Sequence, residues 1–252
     1  MTNACGNTAV NLSICPMPYA AKAAAALADY SAFDLFQWLP KRAQDAFTLA
    51  SHRRQLSDGR PIFNQGERGN ELYRLVSGCV RMSSLRASGH EAVYLMLGPG
   101  DCFGACSLID GAPRSQSTRA QGDVVLQILR RDAFERLRSD YPVIDEAMIR
   151  YMSRHLRLLA SNLASSMLDD LPCRLAQRLL DASRSFDGAA VRRTGAALRL
   201  SQTEIAQMVG ASRQSVNKVL RRFQLAGLVA IEYGSVRVLD IDRLRRISVN
   251  LT

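Results

Sequence analysis

The sequence predicts an α+β chain: an N-terminal antiparallel β-roll, then a long helix, then a small winged helical unit. Three observations predict it. Ten of the 16 glycines fall between Gly59 and Gly122, where they separate short β-type runs. An apolar stripe at three- and four-residue steps runs from about Val143 to Leu168. Finally, Leu200 to Phe223, LSQTEIAQMVGASRQSVNKVLRRF, reads as two capped helices joined at a glycine.

Taken in order, residues 1–30 carry little pattern and read as a loosely ordered arm. Phe33, Phe36, Leu39, Ala43, Phe47 and Ala50 suggest amphipathic helices interrupted at Pro40. The runs ELYRLVSG, CVRMSSL, EAVYLMLG and VVLQILR then give strands, with RPIFNQGERGN and LGPGDCFG as turns. Short strands at this spacing close into a roll, which removes exposed edges and leaves an interior able to hold a small ligand. DAFERLRSDYP is helical again. In the long segment Ile144, Met148, Tyr151, Met152, Leu156, Leu159, Leu163 and Met167 form the stripe, and a helix of this length between two globular parts reads as a paired helix. The expected division is 1–30 arm, 31–140 roll, 141–171 dimerisation helix and 172–252 winged unit.

Within that unit Ser201 caps a helix, and Glu204 three residues later completes a capping box. Ile205, Ala206 and Val209 share its inner face, and Gly210 ends it in the left-handed conformation that lacks a Cβ penalty. Ser212 caps the second helix, whose apolar positions are Val216, Val219, Leu220 and Phe223. Arg213, Gln214, Ser215, Asn217 and Lys218 remain on its outer side near the N-terminus, the end that enters a major groove in a helix-turn-helix. FQLAGLVAIEYGSVRVLDI follows as two β runs meeting at Tyr233-Gly234, a wing.

Charge agrees with this placement. The chain carries +10 overall, and residues 173–252 hold 14 Lys and Arg against 6 Asp and Glu, a net of +8. A basic segment containing the helical pair is the footprint of a phosphate-binding surface. No apolar run reaches the ~18 residues of a membrane span, and a cytoplasmic location is expected. The scattered Cys5, Cys15, Cys79, Cys102, Cys106 and Cys173 read as reduced thiols rather than a disulfide framework. There are no clustered carboxylates, no HExxH and no P-loop, so an enzyme is not expected.

Roll, long helix and winged helix-turn-helix in this order resemble the CRP/FNR family of bacterial transcription regulators, from about residue 31 to 250. The pieces carrying the resemblance are IFNQGERGNELYRLVSGCV and SRQSVNKVL. It implies a cyclic-nucleotide-binding-like sensor roll and sequence-specific binding of double-stranded, palindromic promoter DNA as a homodimer, with RNA polymerase as a further partner. It also implies that a signal at the roll shifts the long helix and reorients the reading heads, unless binding is constitutive. By position, Arg213 matches the arginine that reads guanine O6 and N7. Gln214 stands where the family's namesake has a glutamate, which predicts an adenine preference. Lys218 replaces a second arginine and loses the planar fork. Gln202 and Thr203 match phosphate contacts. The expected DNA-contacting set is Gln202, Thr203, Ser212, Arg213, Gln214, Ser215, Asn217, Lys218 and Arg221.

The family's phosphate-binding cassette corresponds to Phe103–Ser117, FGACSLIDGAPRSQS. Gly104, Arg114 and Ser115 preserve its effector-binding positions. Ala105, however, replaces the glutamate that takes the ribose 2′-hydroxyl, and Leu159 and Ala160 replace the pair that contacts adenine. These departures argue against cyclic AMP held in the family manner. Two readings of Arg114 stay open: it binds another anion, or it pairs with an acid such as Asp110. Cys5 and Cys15 do not make the iron–sulfur pattern of FNR-type members, and Cys102 and Cys106, four apart at a roll turn, leave two readings open, a redox pair or buried, idle thiols. His52, His90 and His155 are the available haem ligands but stand singly on polar segments, so no metal site is expected. The competing functional class is a ligand-binding regulatory subunit acting on a partner protein.

Overall fold

The computed structural model describes residues 31, 33–85, 91–187, 197–198, 200–232 and 234–249. The arm expected over 1–30, with Cys5 and Cys15, and His90 and Tyr233 lie outside the described residues. From Ser31 onward the chain packs as one unit.

Six strands build the roll: β1 (His52–Leu56), β2 (Pro61–Phe63), β3 (Glu71–Leu85), β4 (Glu91–Leu97), β5 (Cys102–Phe103) and β6 (Ser117–Arg130). All pairings are antiparallel, in the order β1-β6-β3-β4, with β2 added to β6 and β5 to β3. Two expectations shift here. ELYRLVSG and CVRMSSL are one 15-residue strand, not two. Gly78, at φ 89°, sits in a stretch where the β3–β6 register slips twice, so it makes a bulge that bends the strand rather than a turn that ends it. A Cβ there would lie 2.3 Å from the Asp123 carbonyl oxygen. And parts of the two stretches read as turns, Pro61–Phe63 and Cys102–Phe103, are the strands β2 and β5.

Inside the roll, alternate residues Tyr73, Leu75, Val80, Met82, Leu126 and Ile128 form one apolar cluster. A second cluster covers the end of the roll with helices. It joins the 3-10 turn Leu35–Trp38, α1 (Lys41–Ala50), α2 (Ala105–Asp110), α3 (Arg131–Asp140) and the first half of α4 (Val143–Leu168). The expected break at Pro40 is the N-cap of α1.

Helix α4 ends at Asp169, and Asp170 caps the next helix by accepting the Cys173 N–H at 2.9 Å. That helix, α5 (Leu171–Asp187), was not read from the sequence, although Leu171, Leu175 and Leu179 recur at four-residue steps. The remaining elements are β7 (Ala197–Leu198), α6 (Gln202–Val209), α7 (Arg213–Leu225), β8 (Val229–Glu232), β9 (Ser235–Val238) and α8 (Ile241–Ile247). The three strands pair in the order β7-β9-β8, and β8–β9 is the wing. Among the described residues no helix is long and apolar enough to cross a membrane.

Candidate nucleic-acid interface and sensor pocket

The interface is built by its caps. Ser201 Oγ accepts the Glu204 N–H at 3.2 Å, and Glu204 Oε2 accepts the Ser201 N–H at 2.8 Å, which completes the capping box of α6. Gly210 closes α6 at φ 64°, where a side chain would be strained. Ser212 Oγ accepts the Ser215 N–H at 3.1 Å and starts α7. Ile205, Ala206, Val209, Val216, Leu220 and Phe223 are then buried together, which fixes the crossing of α6 and α7.

The opposite side of α7 is bare. Arg213, Gln214, Ser215, Lys218, Arg221 and Arg222 are all exposed, as is Thr203 at the start of α6, and Gln202 is half-exposed. Asn217 departs from the expected outer face. It lies at the margin, half-buried between buried Val216 and exposed Lys218, with its Oδ1 buried and lacking a hydrogen bond. The hydroxyls of Ser212 and Ser215 lie 2.9 Å apart, engaged in starting the helix.

Helix α4 divides its stripe. Ile144, Met148 and Tyr151 are buried against the roll of the same chain, with Met152 packed beside them. Leu156, Leu159, Leu163 and Met167 are exposed, at 57 to 73%. The stripe read as one paired face is therefore two faces in series. His155, on a stretch that reads as polar, is wedged between the rings of Phe33 at 4.2 Å and Tyr151 at 4.1 Å. Burial, with the Arg154 charge beside it, lowers its pKa to about 4.

In the roll, Gly104 (φ 86°) is the N-cap of α2, and Arg114 is 4% exposed. Its guanidinium donates to the carbonyls of Gly104 at 2.7 Å and Glu71 at 3.0 Å, and lies over the Phe63 ring at 4.2 Å. It does not turn to Asp110, whose carboxylate accepts the Ala112 N–H. Arg114 Nε is buried without a partner, Ser115 is exposed, and the cleft they share with Cys106 and Gln116 has about 30 Å³ of free volume. The guanidinium suits an anion, but the methyl group of Ala105 can accept no ribose hydroxyl, and Leu159 and Ala160 can bond no base. The residues present do not fit a cyclic nucleotide held in the expected way.

Cys79, Cys102 and Cys173 are buried thiols, while Cys106 is exposed. Burial pushes Cys79 and Cys102 up to about 12, which keeps them protonated and unreactive. Among the described residues no three His, Cys, Asp or Glu side chains gather as a metal site.

A sensor-like roll, a long helix with an uncovered apolar half and a winged helix-turn-helix with a bare polar face define a DNA-binding transcription regulator. The comparisons with known proteins place it more closely. The cyclic nucleotide-binding domain family matches residues 53–141 and the Crp-like helix-turn-helix domain family residues 173–247. The chain is 36% identical over 215 residues to the CRP-like cAMP-activated global transcriptional regulator of Mycobacterium tuberculosis, covering 84% of this chain and 95% of that one. It is 30% identical over 217 residues to the cyclic AMP receptor protein of Thermus thermophilus, covering 86% and 97%. The crystal structure of another CRP-family transcriptional regulator from Thermus thermophilus superposes with a TM-score of 0.64 at 28% identity, covering 78% of this chain and 96% of that one. The chain belongs to the CRP/FNR family of transcription regulators.

Proposed function

We propose that this regulator reads a two-fold promoter site as a homodimer and does so without a cyclic nucleotide. The observation that carries the reading is the bare face of α7, where Arg213, Gln214, Lys218 and Arg221 stand exposed above a fully buried inner face. Arg213 is assigned to a guanine through a bidentate pair and Gln214 to an adenine. Gln202, Thr203, Lys218 and Arg221 hold phosphates, and Asn217 supports the reading face from its margin. Ser212 and Ser215 shape the helix start that delivers Arg213. The exposed half of α4, from Leu156 to Met167, is covered by a second copy of the chain, which sets the two α7 helices one turn of DNA apart, roughly 34–36 Å. RNA polymerase is the expected partner at the promoter, and the cytoplasm the place of action.

The ligand-free part of the proposal rests on Arg114. Its guanidinium is already held by the Gly104 and Glu71 carbonyls, and Ala105, Leu159 and Ala160 offer a nucleotide no side-chain hydrogen bond. The experiment selects bound sequences from a random duplex pool with purified protein, alone and with cyclic AMP or cyclic GMP. A two-fold site enriched without ligand is the expected result, and enrichment only with a cyclic nucleotide would overturn the ligand-free part. Arg213→Ala should weaken the selected site by about 1–3 kcal/mol and relax one base position. Unchanged selection by that variant would remove the reading assigned to Arg213.

A further inference from the structure

We infer that Arg81, on the roll, is a positioning residue for DNA reading: it grips Glu204 in the first helix of the helix-turn-helix and so sets the orientation of the reading head directly from β3–β4. The inference rests on the DNA reading proposed above.

The β3–β4 ladder pairs Val80 with Leu97, Arg81 with Met96 and Met82 with Leu95. Alternation sends Val80, Met82 and Leu97 into the roll. The other face of the same two strands does not meet solvent. Cys79, Val93 and Met96 are buried in the cluster that contains Leu179 of α5 and Ile205 of α6. An apolar seam of this kind holds two parts together, but the force that closes it is non-directional.

At this junction, charge supplies direction. Arg81 is 24% exposed and lies between two carboxylates. One guanidinium nitrogen reaches Glu91 Oε2 at 2.9 Å, and another stands 3.5 Å from Glu204 Oε1. Glu91 is fixed in turn by the Ser83 hydroxyl, which donates to Oε1 at 2.6 Å. Glu204 is fixed by the capping box, since its other oxygen accepts the Ser201 N–H. The chain Ser83–Glu91–Arg81–Glu204–Ser201 therefore runs from the roll to the first residue of the helix-turn-helix. A planar guanidinium can serve two carboxylates at fixed angles, which an ammonium cannot do. In this docked arrangement the α7 face is exposed, so the grip positions the reading head rather than covering it.

The test uses the full-length protein and the selected two-fold site, together with versions of it whose half-sites are moved apart by one and two base pairs. Wild type should bind the natural spacing far better than the altered ones. Arg81→Gln should lower affinity for the natural spacing about five-fold or more and shrink the ratio between spacings by a similar factor. Its binding to a single half-site should not change, because Arg81 touches no DNA. Glu204→Gln, which keeps the capping acceptor but loses the charge, should behave like Arg81→Gln, and the double variant should add nothing further. Arg81→Lys should fall between. If Arg81→Gln proves unfolded by its melting profile, Arg81→Lys and Glu91→Gln read the same spacing ratio. A spacing ratio equal to wild type in folded variants overturns the inference. Loss of half-site binding in the same degree overturns it as well, since that places the defect in the reading face. A wild type without site preference removes the DNA reading itself, and the inference with it.

Discussion

Asp101 and His155 are the two side chains whose protonation the fold alters most usefully. Asp101 is 2% exposed, and burial lifts its carboxyl to about 7 against the Ser31 hydroxyl and Gly98 N–H that favour the anion. The folded chain holds that proton more tightly than the unfolded chain, so the stability it contributes is present at low pH and is lost as pH rises from about 4 to 7. His155 has the opposite sign. Its folded pKa of about 4 lies below the ordinary 6.5, so stability is present above that range and is lost as pH falls through it. The two slopes offset each other in wild type. Asp101→Asn removes one, and its stability relative to wild type should improve with rising pH between 4 and 7, by no more than about 1.4 kcal/mol per pH unit. Urea unfolding at four pH values checks this. Parallel curves would show that Asp101 does not titrate in that window.

At the scale of the element, α4 serves two purposes along one stripe. Its first half is core: Ile144 is 1% exposed, and Tyr151 donates to the Cys102 carbonyl at 2.7 Å. Its second half is exposed and is the seam of the proposed dimer. Leu159→Glu with Leu163→Glu should leave the monomer folded but abolish dimers in sedimentation, and weaken the two-fold site at least 100-fold. Met148→Glu should instead unfold the roll, costing about 3 kcal/mol or more, because it buries a charge without a partner. Dimers persisting in the double variant would place the seam elsewhere. The contrast also shows what the sequence could tell. The extent of α4 was legible, since three- and four-residue steps report a helix face. What covers each part of the face was not, because periodicity carries no information about a partner. Helix α5 was missed for a different reason. Its leucines repeat well, but Pro172 near the start reads as punctuation, although proline is tolerated in a first turn. Gly78 misled in the same way, since a bulge and a turn ask for the same residue.

Across the whole molecule, charge is the legible quantity and coupling is not. The net +8 of residues 173–252 against +2 for the remainder predicts steep salt dependence of DNA binding. Each phosphate contact should contribute about 0.9 to the slope of log K against log salt. Lys218→Ala with Arg221→Ala should therefore flatten that slope by about 2 while leaving the selected sequence largely the same, as filter binding between 50 and 300 mM salt would show. An unchanged slope would mean that neither residue meets a phosphate. The docking of the head on β4 left a faint trace, the unbroken apolar run VYLML, which suits a strand covered on both faces better than a half-exposed one. Which part of the chain does the covering is a fact of tertiary distance, with Arg81 and Glu204 more than a hundred residues apart.

Glu204 gives each of its carboxylate oxygens a separate task, one at the start of a helix and one across to the roll. The position is thus subject to two selections at once. A substitution that repaired only the helix start would leave the protein able to fold yet altered in how its two halves communicate. Descendants of this chain can change their target bases by drifting at Arg213 or Gln214. Change at Glu204 has to be matched by change at Arg81, so the pair should evolve as a unit.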